Sequence, residues 1–155
     1  MMAAATDLKA LYRRTVLEHS RNPHHFGPLE AADRSATGHN PLCGDKCTVY
    51  LRLEDLSIAD VGFEGAGCAI CMASASIMTD TVQGQHVDAA QAAAVGVLNA
   101  FDRGETGAET LQGEMAALGG VRDFPTRIRC ATLPWKTLTA ALLNSTDTVT
   151  TETNG

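Results

Sequence analysis

The hydrophobic period of this chain changes across one short glycine-rich segment, and that change restricts what can fold here. Lys46 to Glu54 alternates strictly, with Cys47, Val49, Leu51 and Leu53 on one side and Thr48, Tyr50 and Arg52 on the other, the pattern of a half-buried strand. A second alternation sets Val61 and Phe63 against Asp60 and Glu64 and ends at Gly65-Ala66-Gly67, so a second strand runs into a tight turn. Beyond it Ile70, Ala73, Ser74, Ile77 and Met78 recur at helical spacing as far as Gly84, which acts as a C-terminal stop. The spacing predicts strand, strand, glycine turn and helix, with Cys68 at the helix N-terminus.

The flanks supply more helices. Leu8, Leu11, Tyr12 and Val16 predict a first helix over 7–20 with Thr6 as N-cap and Asn22-Pro23 as its end. The stretch from Arg21 to Pro41 is rich in Pro, Gly, His and Asn and reads as one long surface loop. Asp88 caps a helix through Phe101, with Ala94, Val95, Leu98 and Phe101 inward. Residues 103–120 read as an inserted loop with one helical turn around Glu114 to Leu118. Trp135, Leu138 and Leu142 mark a last helix whose regular part starts at, or is kinked at, Pro134, so Cys130 lies just before it or in its first turn. The domain spans 1–143, and the polar tail 144–155 is expected to be disordered, because it cannot bury enough apolar surface to order itself.

Several function classes are disfavoured. A chain of 155 residues fits one domain. Its formal charge of -6, with Lys and Arg scattered, argues against nucleic acid as a partner. No apolar run approaches the roughly 20 residues of a membrane span. Met1 to Ala5 are followed at once by Asp7 and Lys9, with no hydrophobic region of signal-peptide length, so a cytoplasmic location is expected. There, five cysteines read as metal ligands, catalytic thiols or buried small hydrophobes rather than a disulfide framework.

Cys43, Cys68 and Cys130 each sit beside a glycine turn or a helix start, where backbone amides and nearby cations (Lys46, Arg127, Arg129) favour the thiolate. Asp45 is two residues from Cys43, and Gly44 between them gives the backbone freedom to aim both side chains at one point. Cys43, Asp45, Cys68 and Cys130 thus make a set of three sulfurs and one oxygen suited to tetrahedral zinc. The gaps are not those of a zinc finger, and the residues alone leave both a metal site and unrelated buried thiols open.

Three segments, Asn40-Pro-Leu-Cys43-Gly-Asp45, Gly65-Ala-Gly-Cys68-Ala-Ile and Arg127-Ile-Arg-Cys130-Ala-Thr-Leu-Pro-Trp135, resemble the signature segments of the SufU-type zinc-dependent sulfurtransferases, in order and over nearly the full length. Leu11-Tyr-Arg and His19-Ser-Arg-Asn-Pro23 extend the likeness into the first helix. The resemblance implies an α+β fold with a small antiparallel sheet covered by helices. It also implies zinc on Cys43, Asp45, Cys68 and Cys130, a PLP-dependent cysteine desulfurase of the SufS type as sulfur donor, and a downstream Suf cluster-assembly scaffold. The sequence departs from the family pattern at Cys47 and Cys71. Cys47 shares the apolar face of its strand and reads as core; Cys68-x-x-Cys71 at a helix start has the spacing of a redox pair, an accessory role that stays open.

Within that likeness Cys43, beside the flexible Gly44, is the residue expected to attack the outer sulfur of a desulfurase persulfide, while Arg127 and Arg129 offset the negative site or meet the partner. The rival reading is a scaffold on which an iron–sulfur cluster is assembled, as in the related IscU proteins, which carry His immediately before the third cysteine where Arg129 stands here. His19, His24, His25, His39 and His86 read as solvated residues, since His24 and His25 are adjacent and cannot easily turn both rings to one ion. Trp135 reads as a core or interface anchor.

Overall fold

The computed structural model describes residues 4–41, 44–102, 111, 113–144 and 149–150. In chain order its elements are helix α1 (Ala4–Arg21), strands β1 (Arg34–Asn40), β2 (Asp45–Glu54) and β3 (Ser57–Ala66), and helices α2 (Ala69–Val82) and α3 (Val87–Asp102). A short helix α4 (Glu114–Leu118) follows and runs into a 3-10 turn (Gly119–Asp123), then α5 (Pro125–Leu142) and the two-residue strand β4 (Val149–Thr150). The sheet order is β3-β2-β1-β4, with the first three strands antiparallel and β4 parallel to β1. This is the α+β arrangement that the resemblance implies.

The strict alternation of β2 does what the period of two requires. Val49 stands opposite Phe63 and Leu51 opposite Val61, and all four are fully buried where α5 covers β2 and α2 covers β3. Burying side chains of this size contributes about 1.5–3 kcal/mol each. Asp55 and Leu56, both at positive φ (51° and 68°), close the β2–β3 hairpin, a backbone twist that matches that of the strands. Ser74 Oγ, on α2, donates to the Ala131 carbonyl of α5 at 2.6 Å and accepts from Trp135 Nε1 at 3.1 Å. Fully buried Trp135 is therefore a core anchor that ties the helix behind Cys68 to the helix that carries Cys130.

Four expectations are corrected. Part of the long loop over 21–41 is strand β1, whose inward residues are Ala36, Gly38 and Asn40, too small or too polar to register as hydrophobic alternation. Gly38 has to be glycine, because a Cβ there would collide with the Thr137 side chain. The last helix begins at Pro125, nine residues before Pro134, and passes through it. Pro125 suits a first helical turn, which needs no N–H, and Pro134 removes only one internal bond, the one to the Cys130 carbonyl, between buried Leu133 and Trp135. Cys130 therefore lies in the helix body. On α3 the buried face is Ala90, Ala94, Val97, Ala100 and Phe101, whereas Val95 is 45% exposed. Finally, within the expected polar tail, Val149 and Thr150 pair with Gly38 and His39; β1 offers a free edge whose backbone groups accept a strand whatever its side chains.

The one helical turn expected at Glu114 to Leu118 is α4; residues 103–110 of the inserted stretch lie outside the described residues. Among the described residues no helix is long and apolar enough to cross a membrane.

Candidate metal centre

Three elements meet at one point. Asp45 opens β2, Cys68 is the residue before α2, and Cys130 faces them from α5. One carboxylate oxygen and the two sulfurs all lie within 4.8 Å of one another. Asp45 and Cys130 are fully buried, and Cys68 is half-buried, so the group is closed from behind and open on the side of Cys68.

Each partner is held. The Cys68 amide donates to Asp45 Oδ1 at 3.0 Å. Asn40 Nδ2, at the end of β1, donates to Asp45 Oδ2 at 3.4 Å and to Cys130 Sγ at 3.9 Å. Asn40 belongs to the first signature segment, but nothing in its spacing marks it as the donor that orients the carboxylate. Gly67 gives Asp45 room, since a Cβ there would stand 2.5 Å from Oδ1.

The electrostatics divide the two sulfurs. Cys68 is lowered to about 6, first because the Cys130 thiol donates to it and then because the amides of Cys71 and Ile70, at the start of α2, point at its sulfur. Cys130 is pushed up, by that same donation to Cys68, by burial and by the Asp45 carboxylate. The Arg127 guanidinium reaches both sulfurs and is itself raised by them. Of the two arginines singled out in the sequence, Arg127 is the one so engaged; the Arg129 carbonyl accepts from Thr132 Oγ1 at 3.3 Å.

Cys43 lies outside the described residues. Its neighbour Gly44 has φ +75° and donates its N–H to the Asn40 carbonyl at 2.8 Å, which closes the turn from β1 to β2 immediately before Asp45. Cys47 and Cys71 are both buried. Burial pushes Cys47 up to about 12, as a core residue of β2 should be. Cys71 is 1% exposed; what it gives Cys68 is its backbone amide.

The donor chemistry fits a zinc-class ion. A buried carboxylate beside two sulfurs, one of them strongly acidic, is an anionic cluster whose charge a divalent cation offsets, and thiolate with carboxylate is within the range of ligands that zinc accepts. Asp45, Cys68 and Cys130 supply three such donors.

Comparison with known proteins gives a consistent result. Residues 11–131 match the family model described as the NifU-like N terminal domain. The iron–sulfur cluster assembly scaffold protein IscU of Streptococcus pyogenes serotype M1 is 37% identical over 142 residues, covering 92% of this chain and 89% of that protein. The zinc-dependent sulfurtransferase SufU of Bacillus subtilis strain 168 is 36% identical over 138 residues, covering 88% and 92%. Among solved structures, a candidate SUF-system cluster-assembly scaffold from Fervidobacterium islandicum AW-1 superposes with a TM-score of 0.77 at 32% identity, covering 86% of this chain and 97% of the other.

Proposed function

From the premise that this chain belongs to the family of NifU-like N-terminal domains, we propose that it serves iron–sulfur cluster assembly in the cytoplasm as a zinc-dependent sulfurtransferase. It takes sulfur from a PLP-dependent cysteine desulfurase and passes it to a downstream cluster-assembly scaffold. The observation that carries this reading is the meeting of Asp45, Cys68 and Cys130, with the Arg127 guanidinium on both sulfurs. The names of the relatives divide between scaffold and transferase at nearly equal identity. Arg129 where IscU proteins have His favours the transferase, as does a cationic group already seated on the two sulfurs.

Asp45, Cys68, Cys130 and Cys43 are the residues that would hold zinc, which when bound keeps thiolates deprotonated and available at neutral pH. The chain's own groups do the rest. The Cys43 thiolate attacks the outer sulfur of the desulfurase persulfide. A sulfur–sulfur bond forms on Cys43, the one to the desulfurase breaks, and the desulfurase cysteine leaves as a thiolate. Gly44 at positive φ supplies the backbone freedom for Cys43 to reach a partner. Half-exposed Cys68 marks the approach, and Arg127, exposed at the rim, steadies the negative charge there.

The test combines elemental analysis, desulfurase turnover and mass spectrometry. One zinc per chain is expected, lost in Cys68→Ser and Cys130→Ser. Cys43→Ser should bind desulfurase but no longer stimulate it, and the added sulfur should appear on the Cys43 peptide. Zinc retained in both serine variants, or sulfur found only on Cys71, would overturn this assignment. A native iron–sulfur chromophore without zinc would make the protein a scaffold.

A further inference from the structure

Away from the sulfurs, three histidines and an aspartate gather where α1, the loop after it and α2 meet. His24 Nδ1 lies 2.5 Å from Asp80 Oδ2, and His25 Nε2 lies 3.2 Å from Asp80 Oδ1. The adjacent rings reach one carboxylate because His25 takes the left-handed backbone conformation, φ 56°, which swings its side chain round. This corrects the expectation of solvated loop residues with divergent rings. His19, from α1, is buried, and its ring centroid is 4.6 Å from that of His24. One donor atom each from His19, His24 and Asp80 lie within 4.8 Å of one another. Asp80 is twelve residues beyond Cys68 along α2, roughly 18 Å at 1.5 Å per residue, so this group is separate from the sulfur centre.

His19 has the surroundings of a metal ligand. Its Nε2 is 3.0 Å from Glu114 Oε2. A carboxylate only accepts, so Nε2 carries a proton, and in the neutral ring Nδ1 keeps its lone pair. That lone pair faces Ser76 Oγ at 2.6 Å, and the same hydroxyl oxygen accepts the His24 amide at 2.8 Å. A carboxylate behind the far nitrogen is what fixes the ring and raises its basicity in histidine-ligated metal sites. The loop is fastened as well: Thr79 Oγ1 donates to the His24 carbonyl at 3.3 Å, and the Phe63 amide to the His25 carbonyl at 3.1 Å. The donors are therefore brought together before any ion arrives.

We propose that His19, His24 and Asp80 bind a second divalent ion of the zinc class, with His25 as an alternative ligand from the same loop and Glu114 orienting His19. Two imidazoles and a carboxylate suit zinc, cobalt or nickel and contain no thiolate. On binding, the ion takes the place of the hydrogen bond between His24 Nδ1 and Asp80 Oδ2, and the neutral His24 ring carries its proton on Nε2.

The absence of sulfur makes the site separable from the cysteine centre, whatever that centre holds. Co2+ is added to the purified full-length chain and followed by visible absorption and by calorimetry. One equivalent is expected with d–d bands but no thiolate-to-cobalt charge transfer. His24→Ala and Asp80→Asn should each weaken that equivalent at least about tenfold, and Glu114→Gln about tenfold, the loss usual when an outer carboxylate partner is removed. Both His24 and Asp80 are exposed, and circular dichroism confirms that the variants fold; either variant alone suffices if the other does not. Binding without charge transfer that is unchanged in the folded variants, or no such equivalent in the parent chain, overturns the proposal.

Discussion

The amide of Cys68 donates to Asp45 Oδ1 at 3.0 Å, so one carboxylate both joins the start of β2 to the start of α2 and offers an oxygen to the sulfur centre. The two roles can be separated by substitution. Asp45→Asn keeps an acceptor for the amide but loses the charge, and should melt near the parent temperature while binding zinc at least tenfold more weakly. Asp45→Ala also leaves the amide unpaired, at a cost of about 1–3 kcal/mol. Thermal melts of the metal-free proteins and zinc competition against a chromophoric chelator measure the two effects. Parent-like zinc affinity in Asp45→Asn would remove the carboxylate from the ligand set.

Gly67 tests the same carboxylate without touching a ligand. Its backbone is not in the left-handed region, so alanine is permitted by conformation, yet the added Cβ would meet Asp45 Oδ1 at 2.5 Å. Gly67→Ala should therefore lower zinc affinity by displacing Asp45, with secondary structure retained by circular dichroism. If zinc competition gives the parent value, the glycine is there for the turn alone and not for the site.

Much of this was legible in the sequence, and the rest was hidden for identifiable reasons. The change of period at Gly65-Ala66-Gly67 gave β2, β3, α2 and the position of Cys68, because those residues are large and regularly spaced. β1 escaped notice because its inward side chains are Ala36, Gly38 and Asn40, whose burial depends on Thr137 and on the sulfur centre rather than on hydrophobicity. Proline at 134 suggested a helix start, whereas tertiary packing around Trp135 carries α5 through it. Asp45 and Cys68 were marked by turns and a helix start, whereas Cys130 was picked out for a helix start that the structure moves back to Pro125, and the role of Asn40 needs the pairing of β1 with β2 to become visible. The His24–His25–Asp80 contacts depend on one left-handed residue and on a partner 55 positions away, which no local pattern encodes.

Cys47 and Cys71 should be dispensable for zinc. Cys47 is buried on the core face of β2 and its thiol is pushed up to about 12 by that burial, so it is protonated and unreactive at neutral pH. Cys71 serves Cys68 through a backbone amide that alanine retains. Cys47→Ala and Cys71→Ala should keep one zinc per chain by elemental analysis, and each should lose on the order of 1 kcal/mol of stability for the atom removed from the core. Loss of zinc from either folded variant would show that the ligand set is not the one assigned.

The last prediction concerns which sulfur reacts once metal is stripped away. Cys68 is lowered to about 6 chiefly because Cys130 donates its S–H to it, while Cys130, buried beside Asp45, holds its proton more tightly than an ordinary thiol. The reactive species is the thiolate, so its fraction on Cys68 is small below pH 6 and rises as pH passes through that value. Iodoacetamide added to chelator-treated protein should therefore label Cys68 with a rate midpoint near pH 6, and label Cys130 and Cys47 far more slowly. Peptide mass spectrometry assigns the label. Cys130→Ala removes the principal donor and should move the Cys68 midpoint upward; Cys130→Ser keeps an O–H donor in place and should move it less. Equal labelling of Cys68 and Cys130, or a midpoint that does not respond to Cys130→Ala, would mean that the two sulfurs do not share a proton in the metal-free protein.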